Sequence, residues 1–457
     1  MNSKGALFAC PVFRYDLWMG LLSLYREDQL IEIQPVFGSL DASVNLPGSK
    51  SLTNRALLCA ALADGLSELS GALVSDDTRV MVESLRKLGI DVQTTDAGRT
   101  LQVHGCGGEI PHPNAELFVE NSGTTIRFLT AALALAGGVY RLDGIPRMRE
   151  RPVGPLVDAL KRLGVHIESE SAGGCPPVRI DSGRVVQRET VIAGDVSSQY
   201  LSGLLLGAPL SRNGLRIAIS QPCVSWPYVE MTCRVMEAFG VDVQLREHGE
   251  AEVAADQKYK PCNYLVEPDA SAASYFWAAA AICGGVVQAV GLNRDSLQGD
   301  IRFLEALSSM GCQVDYRANG ISVRGPACRG INIDMADFSD TAQTLAIVAL
   351  FVQGPTRIRG IAHNRVKETD RVGNLAIELR KLGAVVEESE DGLVIFPPAD
   401  IDSASIETYN DHRMAMSFAL AGLKRSGIRI LNPGCVAKTF PDYFQVLDEV
   451  ARPEGAL

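Results

Sequence analysis

No two cysteines stand at C-x-x-C spacing in this 457-residue chain, although eleven are scattered from Cys10 to Cys435. An odd set without paired spacing excludes a disulfide framework and a zinc pattern, and fits buried thiols in a reducing compartment. The six histidines are equally dispersed, so no metal site is expected. An excess of positive charge is missing too, since the formal net charge is -11. A nucleic-acid binder needs broad basic surface, and that class is excluded. Nor does any apolar run reach the ~18 residues of a membrane span. The longest candidate, Trp277 to Val290, is broken by Gly284 and Gly285, as a core helix ending in a turn would be. Leu7-Phe8-Ala9-Cys10 lies too close to Lys4 for a signal peptide. Residues 1–28, with Met19 among them, are expected to form an extension outside the fold of a cytoplasmic protein.

What is present is a chain with 46% hydrophobic and 21% charged residues, the balance of a folded protein, long enough for two or three domains. It repeats itself. Leu88-Gly89-Ile90, Leu163-Gly164-Val165, Phe239-Gly240-Val241, Met310-Gly311-Cys312 and Leu382-Gly383-Ala384 each end a helical pattern with glycine and enter a strand, and the glycines stand 71 to 76 residues apart. A second signature keeps the same interval. Ser49, Ser122, Ser197, Asp269, Asp340 and Asp411 each precede a helix rich in Ala and Leu, a natural N-cap before a buried helix. Six strand-helix-strand-helix-strand units are predicted, grouped as two pseudo-symmetric domains of three. If the buried helices point their N-termini into the gap between domains, that gap collects positive dipole ends that bind phosphate and carboxylate.

Unusual residues sit at those same starts. Lys50 and Arg55 follow Ser49, where the helix dipole repels cations, so an anionic ligand is expected between them. Asn121-Ser122-Gly123-Thr124 offers a glycine where backbone amides can approach a ligand. Arg147, Arg149 and Arg151 crowd one loop, and Ser197-Ser198-Gln199 supplies hydroxyl and amide groups. Lys367-Glu368-Thr369-Asp370-Arg371 is predicted to begin a helix, with Lys367 and Arg371 on one face. Asn410-Asp411-His412-Arg413 places a group that titrates near neutral pH beside an arginine, and Lys438 lies in a Gly/Pro loop. Cations so concentrated on an acidic chain imply two anionic substrates, at least one phosphorylated.

Leu46-Pro47-Gly48-Ser49-Lys50-Ser51, Asn121-Ser122-Gly123-Thr124, Arg149-Glu150-Arg151-Pro152, Val366-Lys367-Glu368-Thr369-Asp370-Arg371 and Asn410-Asp411-His412-Arg413-Met414-Ala415-Met416 together resemble the signature strings of the 5-enolpyruvylshikimate-3-phosphate synthases. The resemblance runs in order from about residue 30 to the C-terminus. It implies a two-domain inside-out α/β barrel of six βαβαββ repeats, with residues 48–266 as one domain and 29–47 plus 267–457 as the other. It implies transfer of the enolpyruvyl group of phosphoenolpyruvate to the 5-hydroxyl of shikimate 3-phosphate by a monomer without metal or organic cofactor, inhibited by glyphosate. By that resemblance Lys50, Ser51, Arg55, Ser197, Ser198, Gln199, Ser225, Tyr228, Asp340, His363 and Lys367 hold shikimate 3-phosphate. Lys50, Asn121, Gly123, Arg151, Gln199, Arg371, Arg413 and Lys438 hold phosphoenolpyruvate. Asp340 is the expected base for the hydroxyl, and Glu368, aided by Lys50 or His412, the proton carrier at the methylene.

Two positions depart from the family pattern: His363 stands where many members have Asn, and Phe128 where many have Pro. The UDP-N-acetylglucosamine enolpyruvyl transferases are the alternative of the same chemistry. They carry a reactive Cys before the Arg-Pro pair, whereas no Cys occurs here between Cys106 and Cys175. A non-catalytic anion-binding protein would keep the cations without needing Asp340, Glu368 and His412 together, and an RNA-processing enzyme is disfavoured by the acidic balance.

Overall fold

The computed structural model describes residues 29–452, except 184, 186, 247 and 248; the expected extension, residues 1–28, lies outside the described residues. Those residues form six small mixed sheets, five of four strands and one of three. The second sheet shows the pattern. Asn114–Phe118 runs parallel to Gly138–Asp143, then Val178–Ser182 and Ile167–Ser169 add antiparallel strands. The parallel crossover carries a helix, Gly123–Ala136, and a second helix, Gly154–Arg162, precedes the antiparallel hairpin.

Six crossover helices are built of residues that can be buried on every side. They are α1 (Lys50–Leu62), α2 (Gly123–Ala136), α3 (Ser198–Gly207), α4 (Ala270–Cys283), α5 (Ala342–Val348) and α6 (His412–Gly422). Every residue of α4 is buried, which suits a run dominated by Ala with no charge. The outer helices are amphipathic instead; Asp76–Lys87 has Ser75 as a full capping box, two acids in its first turn and two bases in its last.

The side chains gather into two separate hydrophobic cores. One joins Ile33, Leu40 and Val44 to residues from Ala270 to Val450, and the other runs from Leu52 to Val266. The chain passes between them twice. Leu40–Val44 pairs in parallel with Gly285–Val290 before α1 enters the second core, and Asn263–Leu265 pairs with Asp64–Ser70 before α4 returns to the first. Gly48 and Pro268 form an isolated bridge where the two passages touch.

Four of the six expected caps hold a backbone amide: Ser122 takes Thr125 N (3.2 Å), Ser197 takes Gln199 N (3.3 Å), Asp269 takes Ala272 N (2.8 Å) and Asp411 takes Arg413 N (2.9 Å). Ser49 makes no side-chain cap; Asp269 of the other core accepts from Lys50 N at 3.2 Å instead. Asp340 is not a cap either. It lies inside the 3-10 turn Ser339–Thr341 ahead of α5, because its carboxylate is engaged by cations rather than by amides.

Gly48 leaves no room at the crossing: a Cβ there would overlap the Gly71 carbonyl oxygen. Gly48→Ala should lower stability by about 1–3 kcal/mol in urea denaturation. Gly183→Ala, whose added methyl meets nothing within 4 Å, should unfold near the wild-type midpoint.

Candidate active site

All six crossover helices present their first turns, or the turn just before, to one cleft between the cores. Lys50, Ser51, Asp269, Ser271 and Arg413 line one cavity, and Lys50, Arg127, Ser197, Gln199, Asp340 and Arg413 line a second beside it. Lys50 and Arg413 face both.

Asp340 sits on three cations. Lys367 Nζ is 2.7 Å from Oδ1, Arg371 Nη1 is 3.2 Å from the same oxygen, and Arg413 Nη2 is 2.7 Å from Oδ2. Glu368 also meets three: Arg371 Nη2 at 2.8 Å, Lys438 Nζ at 3.1 Å and Arg151 Nη2 at 3.7 Å. Burial pushes each carboxyl up, but the cations outweigh it and hold both well below the ordinary carboxylate range. His412 is held well below its usual value by burial and then by Arg413 and Lys50, so its ring is neutral at pH 7. Neither ring nitrogen hydrogen-bonds among the described residues; Nδ1 lies 3.5 Å from Asp411 Oδ1 without hydrogen-bond geometry.

Residues 367–371 do not begin a helix, contrary to the sequence expectation. They link the 3-10 turn Ala362–Val366 to the helix Gly373–Lys381. Asp370 Oδ1 accepts from Val372 N (3.0 Å) and Gly373 N (2.9 Å), which starts the helix later. The Lys367 and Glu368 carbonyls turn across the cleft instead, to Arg147 Nη2 at 2.9 Å and Nε at 3.1 Å. Lys367 and Arg371 therefore converge on Asp340 through the loop, not through a shared helix face.

On the wall built from the second core, Arg151 Nη1 donates to Asn121 O (2.9 Å) and Oδ1 (3.0 Å), and Lys438 reaches across to Asn121 O (2.9 Å). Gly123 is needed here, because a Cβ would lie 2.5 Å from Arg151 Nη2 and 2.8 Å from Arg127 Nη1. Arg127 Nη1 also donates to Gln199 Oε1 at 2.7 Å. Arg55 does not reach the cavity surface. It is 2% exposed, donates to Thr232, the Ser51 carbonyl and the Tyr228 carbonyl, and stacks on Phe128 at 5.1 Å. Ser198 is buried in the first turn of α3 beside its cap, Ser197. Ser225 adopts φ 55°, and its amide donates to Ala336 O across the cleft at 3.0 Å. His363 Nε2 lies 2.8 Å from Ser339 Oγ and 3.5 Å from Ser225 Oγ, at the edge of the second cavity.

Motif reading did not assign Asp300, Ser271 or Tyr275, although Tyr228 OH donates to Asp300 Oδ2 at 3.1 Å and Arg413 Nη2 to Ser271 Oγ at 3.3 Å. Asp300 lies in a turn off the repeating interval, so position in the sequence carries no signal for it; Ser271 and Tyr275 sit within α4, behind its cap. Among the described residues, no group of His, Cys, Asp and Glu is arranged to hold a metal, and no helix is long and apolar enough to cross a membrane.

This architecture, two α/β cores facing each other across a cation-lined cleft, has direct counterparts. The family model described as EPSP synthase (3-phosphoshikimate 1-carboxyvinyltransferase) matches residues 36–447. The chain is 46% identical to the chloroplastic 3-phosphoshikimate 1-carboxyvinyltransferase of Arabidopsis thaliana, covering 95% of this chain and 87% of that protein. It is 48% identical to the 3-phosphoshikimate 1-carboxyvinyltransferase of Janthinobacterium sp., covering 89% and 94%. A solved EPSP synthase from Acinetobacter baumannii superposes with a TM-score of 0.75 at 26% identity, covering 92% of this chain and 98% of that one. The chain belongs to the EPSP synthase family, with the two-domain enolpyruvyl transferase fold. The nucleotide-sugar alternative is thereby disfavoured.

His363 yields a pH prediction. Burial and then Lys367 push its pKa down to about 3, so below about pH 6.5 the unfolded chain takes up a proton that the folded one refuses. Stability from this group is complete above that pH and is lost as the pH falls toward 3. Between pH 7 and pH 5, urea denaturation of wild type should show about 2 kcal/mol more loss than His363→Gln.

Proposed function

We propose that the cleft transfers the enolpyruvyl group of phosphoenolpyruvate to the 5-hydroxyl of shikimate 3-phosphate and releases phosphate through a tetrahedral intermediate. The observation that carries this reading is the pair of carboxylates, Asp340 and Glu368, each held by three cations in a cleft that both cores wall. Family membership supplies the acceptor and donor.

The six mixed sheets and the two cores support six βαβαββ units, three per domain, in an inside-out α/β barrel, with 48–266 as one domain and 29–47 plus 267–457 as the other.

The ion pairs explain how the site is kept ready. Each substrate brings phosphate and carboxylate or hydroxyl groups that compete for the same cations. As Lys367, Arg371 and Arg413 turn to the substrates, Asp340 loses the attraction that depresses its proton affinity and becomes a competent base. In this reading Asp340 removes the 5-hydroxyl proton as the oxygen attacks C2 of phosphoenolpyruvate. As phosphoenolpyruvate draws Arg151, Arg371 and Lys438 to itself, Glu368 likewise regains proton affinity; it takes up a proton, aided by Lys50 or His412, delivers it to the methylene in addition and recovers it in elimination. Arg151, Arg371, Arg413 and Lys438 hold the tetrahedral intermediate and the departing phosphate. Lys50, Ser51, Arg55, Ser197, Ser198, Gln199, Ser225, Tyr228, His363 and Lys367 are the acceptor's side of the cleft, with Asn121, Gly123 and Gln199 on the donor's. Arg55 serves there from behind the wall, holding the Ser51 and Tyr228 carbonyls.

Phosphate release from phosphoenolpyruvate should require shikimate 3-phosphate, and release with a nucleotide sugar instead would sink the reading. In the same assay Asp340→Ala should lower kcat by about 100-fold or more; near-native kcat with both substrates saturating would remove the base assignment.

Glyphosate should inhibit the wild type. Phe128 is fully buried in α2 and supports Arg55, so Phe128→Pro removes that support and a helix hydrogen bond together. An inhibition constant shifted by more than about threefold is expected, and an unchanged constant would show that this position does not tune the site.

A further inference from the structure

Asp300 lies in the 3-10 turn Gly299–Arg302, away from the helix starts, and is only 2% exposed. Its Oδ2 accepts from the Tyr228 hydroxyl at 3.1 Å and from the Ser271 hydroxyl, while Oδ1 has no partner among the described residues. Ser271 Oγ accepts from Arg413 Nη2 at 3.3 Å, and that nitrogen also holds Asp340 Oδ2 at 2.7 Å. A continuous hydrogen-bonded chain therefore runs from Tyr228 through Asp300, Ser271 and Arg413 to Asp340. It also spans the cleft. Tyr228 packs on the second core, whereas Asp300 leads into Phe303–Ser309 of the first. Burial, then the neighbouring Asp340, push the Asp300 carboxyl up to about 6, a cost that an apolar residue of similar volume would avoid.

We propose, resting on the enolpyruvyl-transfer reading above, that Asp300 is a positioning residue for the reaction. As a hydrogen-bond acceptor it fixes the Tyr228 phenol and, through Ser271, sets Arg413 against Asp340, so the base is aligned only when the cores are closed on each other. Ground-state binding does not need this alignment; the transfer step does.

Steady-state kinetics of phosphate release test it, and wild-type activity checks the underlying reading separately. Wild type without activity would remove that reading and the proposal with it. Asp300→Ala should lower kcat about 10–100-fold while KM for both substrates stays within about threefold. Asp300→Asn keeps an acceptor oxygen in the same place and should return kcat to within about threefold of wild type. Tyr228→Phe also removes a group on the acceptor's side of the cleft, so KM for shikimate 3-phosphate should rise, while its loss in kcat should add little to that of Asp300→Ala, because both break one chain. Asn as damaging as Ala, near-native kcat in Asp300→Ala, or losses that multiply between Tyr228 and Asp300 would each overturn the proposal. If Asp300→Ala does not fold, Tyr228→Phe and Ser271→Ala decide it: a double variant no worse than the poorer single supports it, and multiplied losses overturn it.

Discussion

One guanidinium joins the site together. Arg371, 2% exposed, pairs with Asp411 through Nε at 2.7 Å, with Glu368 through Nη2 at 2.8 Å and with Asp340 through Nη1 at 3.2 Å. Three carboxylates gathered around one point repel one another, and a planar cation with donors on several edges is the group that can answer them at once. Asp411 is spoken for twice, since it also caps α6 through Arg413 N. The ion pair thus connects the start of a crossover helix to the loop that carries Lys367 and Glu368, and the rest of the cleft is assembled around that connection.

The acidic balance of the chain and the basic character of its cleft follow from one arrangement. Surface acids are spread out and meet water or short-range partners such as Arg79 with Glu83 or Arg429 with Glu32. Such exposed pairs add little to stability. At the cleft, Lys50, Arg127 and Arg413 stand instead near the starts of buried helices, and Arg151, Lys367, Arg371 and Lys438 in the turns and loops beside them, where helix dipoles and low dielectric sharpen their effect on an anion. Net charge therefore describes the outside of this molecule, and the helix starts describe its inside.

Much of that was legible in sequence. The interval between helix starts marked the six crossover helices, because buried Ala/Leu helices and their polar caps leave two independent marks. The residues near those starts, Lys50, Gly123, Gln199, Asp340, His412 and Arg413, all lie in or beside the cleft. What escaped was local geometry. Residues 367–371 have helical charge spacing, but Asp370 captures the amides of Val372 and Gly373 and delays the helix. Asp340 looked like a cap because caps are acidic, yet three cations took its carboxylate. Asp300 gave no signal, since its role depends on a tyrosine 72 residues away and a serine 29 residues away that only the fold brings within reach.

The path of the chain has a consequence for how the molecule is made. Leu30–Glu32 pairs with Arg429–Leu431, and Leu40–Val44 pairs with Gly285–Val290, so the first two described strands must wait, one for a strand past the chain's midpoint and the other for one near its end. The core from Leu52 to Val266 contains all of its own sheets and can be completed while synthesis is still under way. The other core must wait for strands on both sides of it. Because the cleft needs both, it is not complete until Arg429–Leu431 has been made, and a chain stalled just before that strand would hold one finished half beside an unpaired Leu30–Glu32.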